Sequence, residues 1–371
     1  MDIKTAILNR MDEFKSLSHK LHDNAELSFK EFKTQNIIEE YLNNIGLDYH
    51  ECINTGVYSI MNKSQECIAL RADMDALPVN GVSHACGHDY HMTIVLGTAR
   101  ILSDLGFKKC IKFIFQPGEE DTGGALPMIK EGILENPKVQ KIIGFHVWPG
   151  LKVGSVEIST EATMASVDDF IIKFKGKGGH AASPDVCINP LIPATSFVNE
   201  IYEITRSNSD YGKSHIVTIS SLVCGSAPNV VSDEAVVKGT VRTFDEKIRE
   251  QLKQTVIASA NKKASDYNCR VDLLYDEQYP PLLNDEKEIN IFENISKEIL
   301  GKSNIFNATP SFTGEDFAFF AKAVPAVHFR LGICKDDFGT EPLHSSKFTM
   351  HEDALFYGIL VLVNYILNAE A

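Results

Sequence analysis

The chain has 371 residues, 44% of them apolar and 23% charged, with 24 Gly and 14 Pro. This excludes a collagen-like repeat or a disordered chain and leaves room for a core divided between two domains. Fifty acidic residues against 36 basic ones give a formal charge of -14, which excludes a general binder of nucleic-acid backbones.

The first segment, MDIKTAILNRMDEF, mixes charges where a signal peptide needs a continuous apolar core, so a cytoplasmic protein is expected. Helix-like apolar recurrence follows at 8–22 and 31–46. Val57–Met61 and Cys67–Ala72 read as strands, Tyr90–Asp104 as a helix and Cys110–Phe115 as a buried strand. A helix at 123–132 and an apolar run at Lys141–Phe145 complete an alternation that predicts an α/β sheet with helices on its faces. The pattern then changes: a strand at Asp169–Lys175, a helix at 190–207, strands at 215–223 and 234–243, a helix at 246–264 and a strand at 269–275. This strand-helix-strand-strand-helix-strand order predicts a ferredoxin-like α+β layer. The turn-rich YPPLLND at 279–285 reads as the return to the first domain. A discontinuous catalytic domain, 1–166 and 278–371, carrying an inserted domain at 167–277 is therefore expected. Leu355–Leu367 is apolar apart from Asn364 but too short to span a bilayer, and reads as a buried final helix without membrane association. Eight cysteines with no CxxC pair do not make a disulfide scaffold.

The densest chemistry lies in the first half. HACGHDYH places His84, Cys86, His88, Asp89 and His91 within eight positions, FQPGEE puts Glu119 and Glu120 after a buried strand, and GFHVWP puts His146 at the end of the next. EPLHSS adds His344. Pockets of open α/β sheets form beyond the C-terminal ends of strands, so these loops are candidates to converge on one cleft. Thiolate, imidazole and carboxylate suit zinc or manganese, and a bridging thiolate between two cations would offset their repulsion around a water nucleophile. Taken singly, Cys86 also reads as a packing residue, and His84, Tyr90 and His91 as makers of local polar contacts. GKGGH at 176–180 lacks the full phosphate-loop pattern.

The chain resembles the aminoacylase and carboxypeptidase family of metallohydrolases, in the branch of hippurate hydrolase, auxin-conjugate amidohydrolases and N-acetyldiaminopimelate deacetylase. The resemblance runs in order through LHDNAELSFKE (21–31), RADMDALP (71–78), ACGHDYH (85–91), FQPGEEDTGGALPMI (115–129), GFHVWPGLKVGSV (144–156), KGKGGHAASP (175–184), SAPNVVSDEA (226–235), GTVRTF (239–244), TGEDFAFF (313–320) and PLHSSKF (342–348). It implies a zinc-peptidase-like catalytic domain and assigns the inserted domain to dimerisation, giving a homodimer or a tetramer. It also implies two divalent ions per subunit, manganese, zinc or cobalt. Cys86 would bridge them, with His88 and His146 on one ion and Glu120 and His344 on the other. Glu119 would be the general base, and Asp73 would orient His88. Di-zinc relatives carry His-x-Asp with the histidine as ligand where this chain reads Arg71-Ala-Asp73; an arginine stays protonated and cannot take that place. His180 would stabilise the tetrahedral oxyanion. Asn229 and Arg242 would hold the substrate's amide and carboxylate. Gly314, Glu315 and Asp316 would shape the cleft, with a helix cap as the plainer reading, and His22 and Glu26 would lie on a supporting helix.

The activity so implied is hydrolysis of N-acyl amino acids, hippurate-like or N-acetylated, to a carboxylate and a free amino acid. N-Acetyldiaminopimelate deacetylation and a catalytically silent metal-binding scaffold are the alternatives.

Overall fold

A computed structural model describes residues 2–207 and 215–368. The first part of the chain forms α1 (Ile3–Leu8), α2 (Met11–Asp23), α3 (Phe32–Asn44), β1 (Tyr49–Cys52), β2 (Gly56–Met61), β3 (Glu66–Asp73), α4 (His88–Asp104), β4 (Ile111–Gln116), α5 (Ala125–Lys130), β5 (Lys138–Lys152) and β6 (Val156–Ile158). The middle supplies β7 (Val167–Lys175), β8 (Gly179–His180), α6 (Leu191–Ser207), β9 (His215–Cys224), β10 (Val230–Val231), β11 (Glu234–Thr243), α7 (Glu246–Asp266) and β12 (Arg270–Tyr279). The last part adds α8 (Glu286–Leu300), β13 (Ile305–Asn307), α9 (Ala318–Ala323), β14 (Ala326–Cys334) and α10 (Asp353–Asn368).

One unit comprises Met1–Glu161, Leu283–Thr309 and Asp316–Ala371. Its eight-stranded sheet runs in the order β1-β2-β4-β3-β5-β14-β6-β13. The centre, β4-β3-β5-β14, is parallel. These strands are apolar almost throughout because helices cover both faces of a parallel sheet, and every residue of β4 is buried. α4 is buried along nearly its whole length, and α10 packs on it with Leu355, Ile359 and Leu362 fully enclosed. Lys141 of β5 and Tyr365 of α10 both donate to Glu288 Oε2 of α8, each at 2.8 Å, so a buried charge joins three elements. The C-terminal ends of β3 and β4 lead into the loops carrying residues 84–88 and 117–120, and β14 leads into the loop carrying His344. The sheet thus brings distant sequence to one edge.

The second unit is Ala162–Leu282 with Pro310–Glu315. It is wider than 167–277 because Met164 bridges both Leu282 and Ser311, which draws the flanking segments in. Its antiparallel sheet, β12-β7-β11-β9, carries α6 and α7 and has the β-α-β-β-α-β order of a ferredoxin-like layer. Phe170, Phe174, Phe197, Val241 and Leu252 fill the space between sheet and helices. Asp245 caps α7 by accepting from the amides of Lys247 and Ile248. Among the described residues no helix is long and apolar enough to cross a membrane.

Candidate metal centre

Local backbone constraints aim the site. Gly87 caps α4 with φ +87°, a left-handed conformation that lets the chain turn between Cys86 and His88. A Cβ there would also lie 2.4 Å from Val147 Cγ2, so the turn needs glycine on two counts. Gly118, with φ +71°, turns the chain out of β4 into Glu119 and Glu120. His344 itself adopts φ +64°, and its amide donates to Ala85 O at 2.9 Å, which fastens its loop beside Cys86.

Cys86 Sγ lies 3.3 Å from His146 Nε2 and 3.4 Å from His344 Nε2. Cys86, His88 and His146 form one group with ligand atoms within 4.8 Å of one another, and Cys86, Glu120 and His344 form a second. The two groups share the thiol, and Glu119 joins His88 and Glu120 in a further group. His88 Nδ1 donates to Asp75 O at 2.9 Å, and His146 Nδ1 donates to Val147 O at 2.7 Å. Each bond fixes a proton on Nδ1 and turns Nε2 toward the centre, the atom that would serve a cation once it carries no proton. His88 Nε2 is buried with no hydrogen-bond partner and stands 3.8 Å from Glu120 Oε1, which also lies 3.4 Å from His344 Nε2. Buried polar atoms without partners are costly. A cation would satisfy the orphaned His88 nitrogen beside the Glu120 carboxylate, so the donor set fits divalent metal.

The electrostatics agree. Burial, with Glu120 and Glu119 adding to it, pushes the Cys86 thiol well up, so a thiolate here requires a compensating cation. Burial would lower His88, but the carboxylates of Asp73, Asp75 and Glu120 outweigh it and raise the group to about 10. Burial and the neighbouring His91 and His88 hold His146 well below the ordinary imidazole range. Glu120 is lowered because the His344 hydrogen bond and His88 overcome its burial.

Behind the centre, Asp73 takes a different position from the one expected. Its Oδ1 is 3.8 Å from His88 Nδ1, beyond hydrogen-bond reach, and 2.5 Å from His91 Nδ1. Asp75 is the residue beside His88: its carbonyl takes the ring proton, and its Oδ2 accepts from the Glu120 amide at 2.8 Å and Ser28 Oγ at 2.6 Å. Asp75 is the second acid of RADMD, visible in sequence as a pair with Asp73 but not separable from it without the fold. Arg71 is buried and donates to Asp73 Oδ2 and Asp316 Oδ1, both at 2.7 Å, and to Gln116 Oε1 at 2.8 Å. Asp316 thus does not cap α9, the helix that follows it; it also accepts from Gln116 Nε2 and from the amide of Ala125 at the start of α5. His84 is buried and lowered to about 4 by that burial. His22, on α2, bonds Asp89 at 2.8 Å, while Glu26, in the loop after α2, accepts from the Lys33 and Thr34 amides in the first turn of α3.

Of the expected site residues, Cys86, His88, Glu119, Glu120, His146 and His344 come together in the first unit. His180 and Asn229 meet in the second, where the β8-β10 ribbon pairs His180 with Val230 and Asn229 O accepts from the Ala181 amide at 3.0 Å. The His180 ring is exposed, and its Nδ1 accepts from the Ala182 amide. Arg242 lies on β11, with Nε donating to Thr240 Oγ1 at 3.2 Å.

The sequence model of "Peptidase family M20/M25/M40" matches residues 69–368. Thermostable carboxypeptidase 2 of Saccharolobus solfataricus is 32% identical, with 97% of each chain covered. N-Acetyldiaminopimelate deacetylase of Priestia megaterium is 30% identical over 95% of this chain and 97% of its own. Among solved structures, a Bacillus subtilis protein described as a dinuclear metal binding peptidase of this family superposes with a TM-score of 0.82 at 29% identity, covering 96% of this chain and 98% of its own.

Proposed function

The chain belongs to peptidase family M20/M25/M40 and is a metal-dependent amidohydrolase of N-acyl amino acids; from that premise we propose that it removes an acetyl or benzoyl group from an amino acid bearing a free carboxylate. The observation that carries the reading is the shared position of Cys86 between two donor groups, with Glu119 beside them. In this reading two ions would be held here, one by Cys86, His88 and His146 and the other by Cys86, Glu120 and His344. Manganese, zinc and cobalt all suit such donors. When bound, the ions supply Lewis-acid polarisation of the acyl carbonyl and a water acidic enough to ionise near neutral pH.

The rest is the work of side chains. Glu119 takes the proton of the attacking water and delivers it to the departing amide nitrogen, which leaves as a free amine. Its exposure of only 9% keeps that carboxylate out of bulk water. His180 donates to the oxyanion, Asn229 engages the amide and Arg242 pairs with the substrate carboxylate through its planar fork. The inserted unit mediates a homodimer. The presence of Glu119 beside the donors argues against a silent scaffold.

N-Acetyldiaminopimelate is the second substrate proposed, supported by the deacetylase relative. Metal-loaded protein assayed on hippurate, N-acetylated amino acids, N-acetyldiaminopimelate and a neutral amide analogue tests the reading. Turnover of carboxylate-bearing N-acyl amino acids is expected, with the preference over the neutral analogue shrinking in Arg242→Ala. Equal kcat/KM on acidic and neutral substrates in the wild type would contradict it.

A further inference from the structure

His91 has both ring nitrogens engaged and lies against a proposed ligand. Its Nε2 accepts from the backbone N–H of Val147 at 3.0 Å. An amide can only donate, so the ring proton must sit on Nδ1, where it is given to Asp73 Oδ1 at 2.5 Å. Asp73 is in turn fixed by Arg71 Nη1 at 2.7 Å. With no lone pair left, His91 cannot be a metal ligand, although it lies in a compact group with Asp73 and His88.

Strand register explains why Val147 needs this partner. β3 pairs with β5 only as far as Leu70 opposite Ile143, so beyond that point the β3-facing edge of β5 has lost its ladder neighbour. His146 and Val147 lie in that uncovered stretch. Val147 O is taken by the His146 ring, Val147 N–H by the His91 ring, and the two imidazoles meet edge to face with centroids 4.8 Å apart. His91 thus holds the His146–Val147 peptide by its N–H, while the carbonyl of the same Val147, in the next peptide, sets the rotation and tautomer of the His146 ring.

We infer that Asp73 and His91 are positioning residues that orient His146 through the Val147 peptide, making the Arg71-Asp73-His91 relay the support of one of the two donor sets. The inference rests on the reading of Cys86, His88 and His146 as ligands. It assigns Asp73 to His146 instead of to His88.

Cobalt(II) titration followed by visible absorption tests it on wild type, His91→Phe, His91→Gln and His91→Asn. Phe keeps the ring and loses both hydrogen bonds. Gln can present Oε1 to the Val147 N–H, whereas Asn reaches Asp73 only. Wild type is expected to take up two ions. In His91→Phe one of them should weaken by about 10- to 100-fold, with an altered visible band, while the other is retained. His91→Gln should recover most of the affinity and His91→Asn little. A folded His91→Phe binding both ions as tightly as wild type, with an unchanged spectrum, would overturn the inference. Should His91→Phe not fold, the Gln and Asn variants decide: Gln closer to wild type supports the relay, and equal affinities overturn it. Wild type binding no cobalt would overturn the ligand reading itself.

Discussion

Replacing Arg71 by Met tests whether the buried ion network beneath the site is a structural keystone. Arg71 joins Asp73 on β3 to Asp316 and Gln116, and both acids are fully buried. Removing the guanidinium strands two carboxylates out of water. Asp73 keeps His91, while Asp316 keeps Gln116 and the Ala125 amide. Breaking a buried pair on one side costs about 3–5 kcal/mol, because the remaining charge stays desolvated. Those surviving bonds place the expected loss toward the lower end, about 3 kcal/mol. Lys at 71 would restore the charge without the fork and recover only part of it. Trp148, the chain's one tryptophan, lies on β5 in the same unit and reports guanidinium unfolding there by fluorescence. The double variant Arg71→Met with Asp316→Leu should cost less than the sum of the singles by about 1–3 kcal/mol, since the two residues contact directly. A single-variant loss under about 1 kcal/mol, or additivity within about 0.5 kcal/mol, would refute the reasoning.

Glu119→Gln should keep wild-type metal content while turnover falls about 100-fold or more, measured by metal analysis and initial rates on the same preparation; near-wild-type activity with full metal would remove Glu119 as base. Cys86→Ala should lower the affinity for both ions together, as it opens both donor groups, and calorimetry showing only one affected would contradict a shared ligand. The Asp89 hydrogen bond raises His22 above its ordinary value, so its stabilisation is fully present below about pH 6.5 and is lost as pH rises through the raised folded-state value. With the His22 side chain 55% exposed, the effect should stay under about 1 kcal/mol. Comparing Tm of wild type and His22→Gln should show a gap near about pH 5.5 that closes by about pH 9, and a gap independent of pH would count against the pair.

Apolar runs made β2, β3, β4 and β5 legible, half of the eight-stranded sheet, because a strand buried on two faces has few other ways to be written, while β1, β6 and β13 are too short to show such a run. β14 escaped that pattern. His328 and Arg330 interrupt its apolar run, and both are buried: Arg330 donates to Glu157 and Thr309 O and stacks 3.7 Å above the Trp148 ring, while His328 N–H donates to the Asn284 side chain. Tertiary partners made polar residues tolerable in a central strand, and no local pattern reveals them. The candidate ligands were legible as motifs because each loop carries its own dense signal. The roles of Asp73, Asp75 and Asp316 were not, since which acid faces which histidine or arginine depends on register between strands distant in sequence.

Hydrolysis is proposed to depend on metal held at the Cys86 cluster. Protein stripped by chelation and titrated with manganese, with bound metal and N-acetylmethionine hydrolysis read from the same samples, tests this most directly. Activity should be absent in the stripped protein and rise with occupancy to a plateau at about two ions per chain, as expected where the ions activate water and polarise the carbonyl together. Full activity in stripped protein holding less than about a tenth of an ion per chain would contradict it.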